Sequence, residues 1–358
     1  RSNSGDIVLV SSTEIKYIFL MLLDPLKCYN SIQRLNKIAQ RHHFTVIKEY
    51  YDNIFFMIRN ANSISETLRQ KFPNQPVISA SEIINQCLAL VLKIASFPLN
   101  YFLIIDEIEL EHIKYLYDLL PNEIAFKILG KLLVENIDFA KHIINLGIES
   151  IEEKITELNT PLFIYFLGSF AYFPDLNEIM LPFYEEYIIN TSTSQNETIR
   201  RYSYDALSIL IPNSPEMCSW IQNLPIMTSI FKITPVSQLC AKKYIELAYI
   251  LLKNKITTFL SAGNGFEELI DVLHTCFKDE TGLAVLASKV LILLVQLGFL
   301  SFLIDYRIDD TLFSFSSGYY IFKEKESAMK TLCILFLNSD RSTKIRYLSR
   351  GFADIVLI

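Results

Sequence analysis

With 358 residues, 51% hydrophobic and 20% charged, the chain is long enough for either two ordinary globular cores or one elongated array. Ten glycines and twelve prolines are too few for a loop-rich β sandwich, and 25 Phe with 19 Tyr require a folded interior. A net charge of -6 and a pI near 5.5 argue against a nucleic-acid partner, which would call for a surplus of lysine and arginine.

The chain opens at "RSNSGD" without a methionine and stops within the apolar "ADIVLI", which reads as a segment of something longer. Residues 1–80 hold two helix-like runs, "TEIKYIFLMLL" and "FTVIKEYYDNIFFMI", in no regular period, and are expected to form a divergent helical repeat or a cap. From residue 81 a leucine followed by a small residue recurs inside apolar helical stretches. The pairs are Leu88-Ala89, Leu129-Gly130, Leu167-Gly168, Leu207-Ser208, Leu247-Ala248 and Leu332-Cys333, with Leu291-Ile292 filling the gap. Successive leucines stand 41, 38, 40, 40, 44 and 41 apart, a step that marks stacked helical units.

A second mark follows most of these leucines by eighteen residues: Asp106, Gly147, Pro225, Gly265 and Asp309, with Gly351 at nineteen and Glu185 breaking the rule. An apolar helix is expected after it, as in "IESIEEKI", "MTSIFKI" and "FEELIDVL". Each unit thus reads as a long helix, a short helix, a corner and another helix, with boundaries near 81–121, 122–161, 162–196, 197–237, 238–280, 281–322 and 323–358. The glycines of "SAGNGFEELIDVL", residues 261–273, fall at such a corner. A phosphate-binding loop would need a strand before them, and helix precedes them instead.

The most apolar run, "VLILLVQLGFLSFLI" from Val290 to Ile304, is fifteen residues long, short of the roughly 20 that span a bilayer. It and "TPLFIYFLGSFAYF" near residue 165 are expected to be fully buried helices, with no membrane span. Six widely spaced cysteines without a C-x-x-C read as buried thiols of a reducing compartment, cytoplasmic or nuclear. The sequons at Asn190 and Asn196, inside the polar "NTSTSQNET", read as chance matches in a loop. Residues 101–160 hold twelve acids against five lysines, and residues 323–358 hold seven basic residues against four acids. Solvated surface accounts for both.

With "NEIAFKILGKLLVENIDFAKHIINLGIESIEEKI" and "AKKYIELAYILLKNKITTFLSAGNGFEELIDVL" as its clearest stretches, the sequence resembles the armadillo-type helical repeat family over about residues 81–358. The resemblance implies an all-α fold, a right-handed α-α superhelix of the armadillo-like solenoid type. In that family the helix carrying the leucine and small residue is the third of its repeat, and the glycine marks the bend in the next. Nuclear-import adaptors of the family line a groove with a tryptophan two residues before this leucine and an asparagine two after it. Neither residue occurs at any such position here, so the resemblance implies a groove without import-signal binding. The groove positions are occupied instead by candidates such as Lys127, Lys131, Tyr165, Asp205, Tyr249, Lys289 and Lys330. Their four lysines would suit an acidic segment of a protein partner, with the basic "RSTKIRYLSR", 341–350, as the next surface to consider.

No catalytic constellation emerges. The histidines at 42, 43, 112, 142 and 274 have no metal-site spacing, and His274 and Cys276 lie two apart on different helix faces. The acidic "DEIELEH", Asp106 to His112, falls where a helix start favours negative charge. Walker, G-x-S-x-G and kinase loop motifs are missing, and no cofactor or metal is expected. The expected function is a non-catalytic protein-interaction scaffold. The alternatives are a nuclear-transport type receptor and a regulatory part of a larger enzyme.

Overall fold

In the computed structural model, which describes residues 11–39, 48–96, 108–134, 136–261, 263, 265–277, 282–318 and 322–356, every regular element is helical. The chain divides into two compact units, residues 1–170 and residues 171–358. Asp106 and the first residues of "FTVIKEYYDNIFFMI", together with His42 and His43, lie outside the described residues.

The first unit contains α1 (Ser12–Leu20), α2 (Cys28–Ile38), α3 (Tyr51–Arg59), α4 (Ala61–Lys71), α5 (Ala80–Ala95), α6 (Leu110–Asp118), α7 (Glu123–Leu133), α8 (Ile137–Leu146), the single turn α9 (Glu149–Glu152) and α10 (Thr160–Phe170). Side chains set where several begin. Ser79 caps α5 by accepting the Glu82 N–H, and Asn122 caps α7 by accepting those of Ile124 and Ala125. Along α5 the apolar residues Ile83, Cys87, Val91 and Ile94 recur at three- and four-residue spacing and are buried. Helices α2, α5, α7 and α10 pack one against the next, and α3 and α4 also pack on α5. Phe126, Phe163, Phe166 and Phe170, all fully buried, form an aromatic cluster between α7 and α10.

The second unit contains α11 (Asn177–Phe183), α12 (Glu197–Asn213), α13 (Pro215–Gln222), α14 (Gln238–Lys253), α15 (Phe266–Cys276), α16 (Ala284–Gln296), α17 (Leu300–Asp305), α18 (Ile308–Ser317), α19 (Phe322–Asn338), α20 (Arg341–Ser349) and α21 (Phe352–Val356). Helices α12, α14, α16 and α19 again pack in succession. Their core centres on Tyr204, Phe231, Tyr244 and Phe259, whose rings meet mostly edge to face. Where Glu185 interrupts the series of corners, a π-helical stretch, Tyr184–Ile189, continues α11.

The forty-residue step of the sequence returns as a contact offset within each unit. Asn122 donates to Asn85 37 residues away, Ser169 to the Gly130 carbonyl at 39, Lys243 to Asp205 at 38 and Arg350 to Asp310 at 40. Equivalent helices are therefore neighbours. The order of long helix, short helix, corner and helix is seen in α14, the 3-10 turn Thr258–Leu260 and α15, and again in α16, α17 and α18.

Two of the three expected helices after a corner are different in the structure. "FEELIDVL" is helical within α15, but "IESIEEKI" holds only the turn α9. "MTSIFKI" is not an α-helix, because a short 3-10 turn, Pro225–Thr228, gives way to turns. Two causes meet there: Pro235 has no N–H to give the Phe231 carbonyl in a helix, and tyrosines of other helices take the carbonyls instead, the Tyr204 hydroxyl donating to Ile230 at 3.1 Å and the Tyr244 hydroxyl to Phe231 at 2.9 Å. The apolar run from Val290 also departs from expectation. It breaks at Gly298, between α16 and α17, and is not fully buried: Ile292 and Leu293 are half-buried and Phe302 is exposed. Among the described residues, no helix is long and apolar enough to cross a membrane.

Candidate interaction face

On each long helix of the second unit, residues three and four apart line an outward face. On α14 these are Lys242, Glu246, Tyr249, Ile250 and Lys253, and on α16 they are Leu286, Lys289, Ile292, Leu293 and Gln296. Two contacts show that the faces of neighbouring helices adjoin. The Lys243 ammonium bonds the Asp205 carboxylate at 2.5 Å from α14 to α12, and the Lys289 ammonium lies 6.0 Å from the Tyr249 ring centre. Lys243 also reaches Glu246 at 2.9 Å, so its charge is held in a small network with two carboxylates.

The residues two after each leucine differ in burial along the chain. In the second unit Ile209, Tyr249, Leu293 and Ile334 are all half-buried. In the first, Leu90 is fully buried, and Ser169 is buried with its hydroxyl donating to the Gly130 carbonyl at 2.8 Å. Gln86 is engaged too, since the Asn36 side-chain amide donates to its backbone carbonyl at 2.8 Å and its side-chain oxygen at 3.0 Å. Thus the first unit covers this face at Leu90 and Ser169 and leaves it partly open at Lys131, whereas the second leaves it partly open at all four positions.

The sequence candidates fall accordingly. Lys127 and Lys131 lie on α7, one turn apart, and the Lys127 ammonium is bonded by Glu123 at 2.5 Å. Tyr165 lies on α10 with its ring over Gly130. In the second unit, Asp205 accepts from Lys243, Tyr249 and Lys289 form the cation-ring pair, and Lys330 on α19 is bonded by Glu326 at 2.6 Å. Four of the candidates, Asp205, Tyr249, Lys289 and Lys330, thus share the open face of one unit. Leu293 and Ile334, groove positions by the sequence pattern though not among its candidates, stand beside them with Ile250 and Ile292, which escaped the sequence reading because an apolar residue in an apolar helix is expected inside. The signal was present in α16, whose apolar residues outnumber the places a buried stripe can hold and so extend onto the face shared with exposed Lys289 and Gln296.

Elsewhere charged and polar side chains hold the fold. Asp309, in the first turn of α18, is buried and bonds the Arg346 guanidinium at 2.6 Å. Burial pushes its carboxyl above the ordinary range, with Arg346 acting against the shift. His274 Nδ1 meets the Thr311 hydroxyl at 2.7 Å and its Nε2 meets the Tyr306 carbonyl at 2.8 Å. His112 is buried, stacked on Phe55, with Nε2 at 3.1 Å from Asp52. Its Nδ1 accepts the Glu109 backbone N–H at the start of α6, so the described part of "DEIELEH" serves as a helix cap. All six cysteines are free thiols, four of them buried. Among the described residues, no three His, Cys, Asp or Glu side chains are grouped to hold a metal ion.

No known family's sequence profile and no curated protein matches this chain. Among solved structures it is similar to a crystal structure of an engineered protein, with a TM-score of 0.58 and 12% identity over 98% of this chain and 91% of that one. At that identity the likeness speaks to the fold alone.

Proposed function

We propose that the chain is a non-catalytic protein-interaction scaffold of the cytoplasm, an armadillo-like right-handed superhelix whose long-helix face holds a segment of a partner protein. One observation carries this reading: the apolar side chains of α16 that face outward, Ile292 and Leu293, are only half-buried. Fully burying such a side chain is worth about 1.5–3 kcal/mol, so part of that free energy is left for a partner to take up. Solenoids present long faces of this kind and use them to bind proteins.

Affinity capture with the immobilised chain, followed by identification of the retained proteins, tests the reading. A protein should be retained by the wild type and lost with Leu293→Asp, a substitution at a half-buried position that should change the melting temperature little. Retention of the same proteins by both chains, or of none by either, would refute it.

A further inference from the structure

Resting on the scaffold reading, we propose that the open face of α12, α14, α16 and α19 binds an extended, acidic segment whose apolar residues recur at about every third position. The apolar part of the face runs across the helices. Ile209, Ile250, Leu293 and Ile334 supply one half-buried aliphatic side chain from each helix in turn, and Leu337, 68% exposed, ends the row on α19. Packed helices lie about 8–10 Å apart, and an extended chain of the polyproline II type turns once in three residues while advancing about 3.1 Å per residue, so every third side chain returns to one face. One apolar side chain in three of an extended segment would therefore meet one helix each, and about ten to twelve residues would cross all four. A helical segment advances only about 1.5 Å per residue and would need roughly six residues between anchors, which does not match its own period.

Charge chooses the residues between the anchors. From six residues before to six after each marker leucine, the exposed and half-buried side chains of the face include six basic ones, Arg201, Lys242, Lys243, Lys253, Lys289 and Lys330. Three acids, Asp205, Glu246 and Glu326, stand among them, so the face is net positive in a chain of net charge -6. The acids are held by lysines of the face itself: Asp205 and Glu246 by Lys243, and Glu326 by Lys330. Lys253 and Lys289 are exposed, and among the described residues neither has a carboxylate within ion-pairing distance. Each adjoins the apolar row, Lys253 three residues after Ile250 and Lys289 four before Leu293. Lys289, set against the Tyr249 ring and beside the aliphatic row, is the place where a carboxylate flanked by apolar residues meets complementary groups on both sides.

A labelled synthetic peptide, (Val-Asp-Asp)4, serves as the probe, since valine and aspartate disfavour helix and the repeat matches the spacing. Fluorescence anisotropy with the whole chain should show binding that weakens with salt. Replacing valine by serine, or aspartate by lysine, should abolish it. Lys253→Glu combined with Lys289→Glu should weaken binding at least about tenfold with the melting temperature held, and Leu293→Asp should do the same. Equal binding of the serine peptide would show diffuse charge attraction and overturn the proposal. So would preference for the lysine peptide, no binding at all, or indifference to the two sets of substitutions. If a captured protein depends on Leu293 while (Val-Asp-Asp)4 does not bind, the scaffold reading stands and this inference falls.

Discussion

Gly265 combines two separate demands on one residue. Its φ of +91° lies in the left-handed region, and a Cβ there would stand 2.7 Å from the Phe231 carbonyl carbon and 2.8 Å from the Lys232 nitrogen. It begins α15 as its N-cap, whereas Gly147, at φ +99°, ends α8 where a Cβ would meet only ordinary contacts, 3.6 Å from the Ser150 hydroxyl and 3.7 Å from the Glu149 carboxylate. Gly265→Val should therefore cost more than about 1 kcal/mol and exceed the loss from Gly147→Val, while Ser261→Ala remains near wild type. Thermal melts of the three variants decide it, and equal midpoints would show the corner glycine to be incidental. Asp309 and Arg346 give a prediction with a sign in pH. A carboxyl raised by burial holds its proton more tightly folded than unfolded, so its contribution to stability falls as pH rises above the unfolded carboxylate value. Arg346→Met removes the partner and leaves the buried charge alone. The loss, of about 1–3 kcal/mol because the arginine is itself partly exposed, should be larger near pH 7 than near pH 4.5. Denaturant titrations at both values would show an equal loss if the arginine acted only by packing. The glycine was legible as a repeated mark, but its contact with Phe231 was not, since 34 residues separate them.

Between elements, a small residue after the leucine lets helices come close where a larger one would hold them apart. Gly130 does so: a Cβ there would fall 2.4 Å from a Tyr165 ring carbon of α10. Ala248 is also fully buried, whereas Ala89, Ser208 and Cys333 are half-buried. Alanine favours a helix over glycine by roughly 1 kcal/mol, yet Gly130→Ala should destabilise because the ring must move. In a Tyr165→Ser background the same change should stabilise, and chemical denaturation of the four chains in the cycle reads that reversal. A penalty that persisted without the ring would place the constraint elsewhere. Helices such as α5, α14 and α15 were legible because their apolar residues keep a 3.6-residue period and a capping side chain or a glycine precedes them. The segment 226–232 has the composition of an α-helix and is not one, since Pro235 offers no N–H to Phe231 and Tyr204 and Tyr244 from two other helices donate to the carbonyls of Ile230 and Phe231.

For the whole molecule, far-ultraviolet dichroism should give a helix-dominated spectrum, and one dominated by β structure would contradict the fold. A forty-residue step in the sequence became a contact offset of 37 to 40 residues, because identical units that cannot bury their own apolar faces bury them against the next. The open face has a different origin. Positions two after the leucine are apolar at Leu90 and at Leu293 alike, yet the first is fully buried and the second half-buried. By itself the sequence determined the all-helical class, the repeat step, the corners at Gly147 and Gly265 and, among the described residues, the lack of a spanning helix, because each depends on local periodicity, length or backbone freedom. Tertiary structure decided which apolar row is left open and which lysine bridges two helices, as Lys243 does to Asp205, because both are set by side chains some forty residues away, whereas Glu123–Lys127 and Glu326–Lys330 pair one turn apart within their own helices.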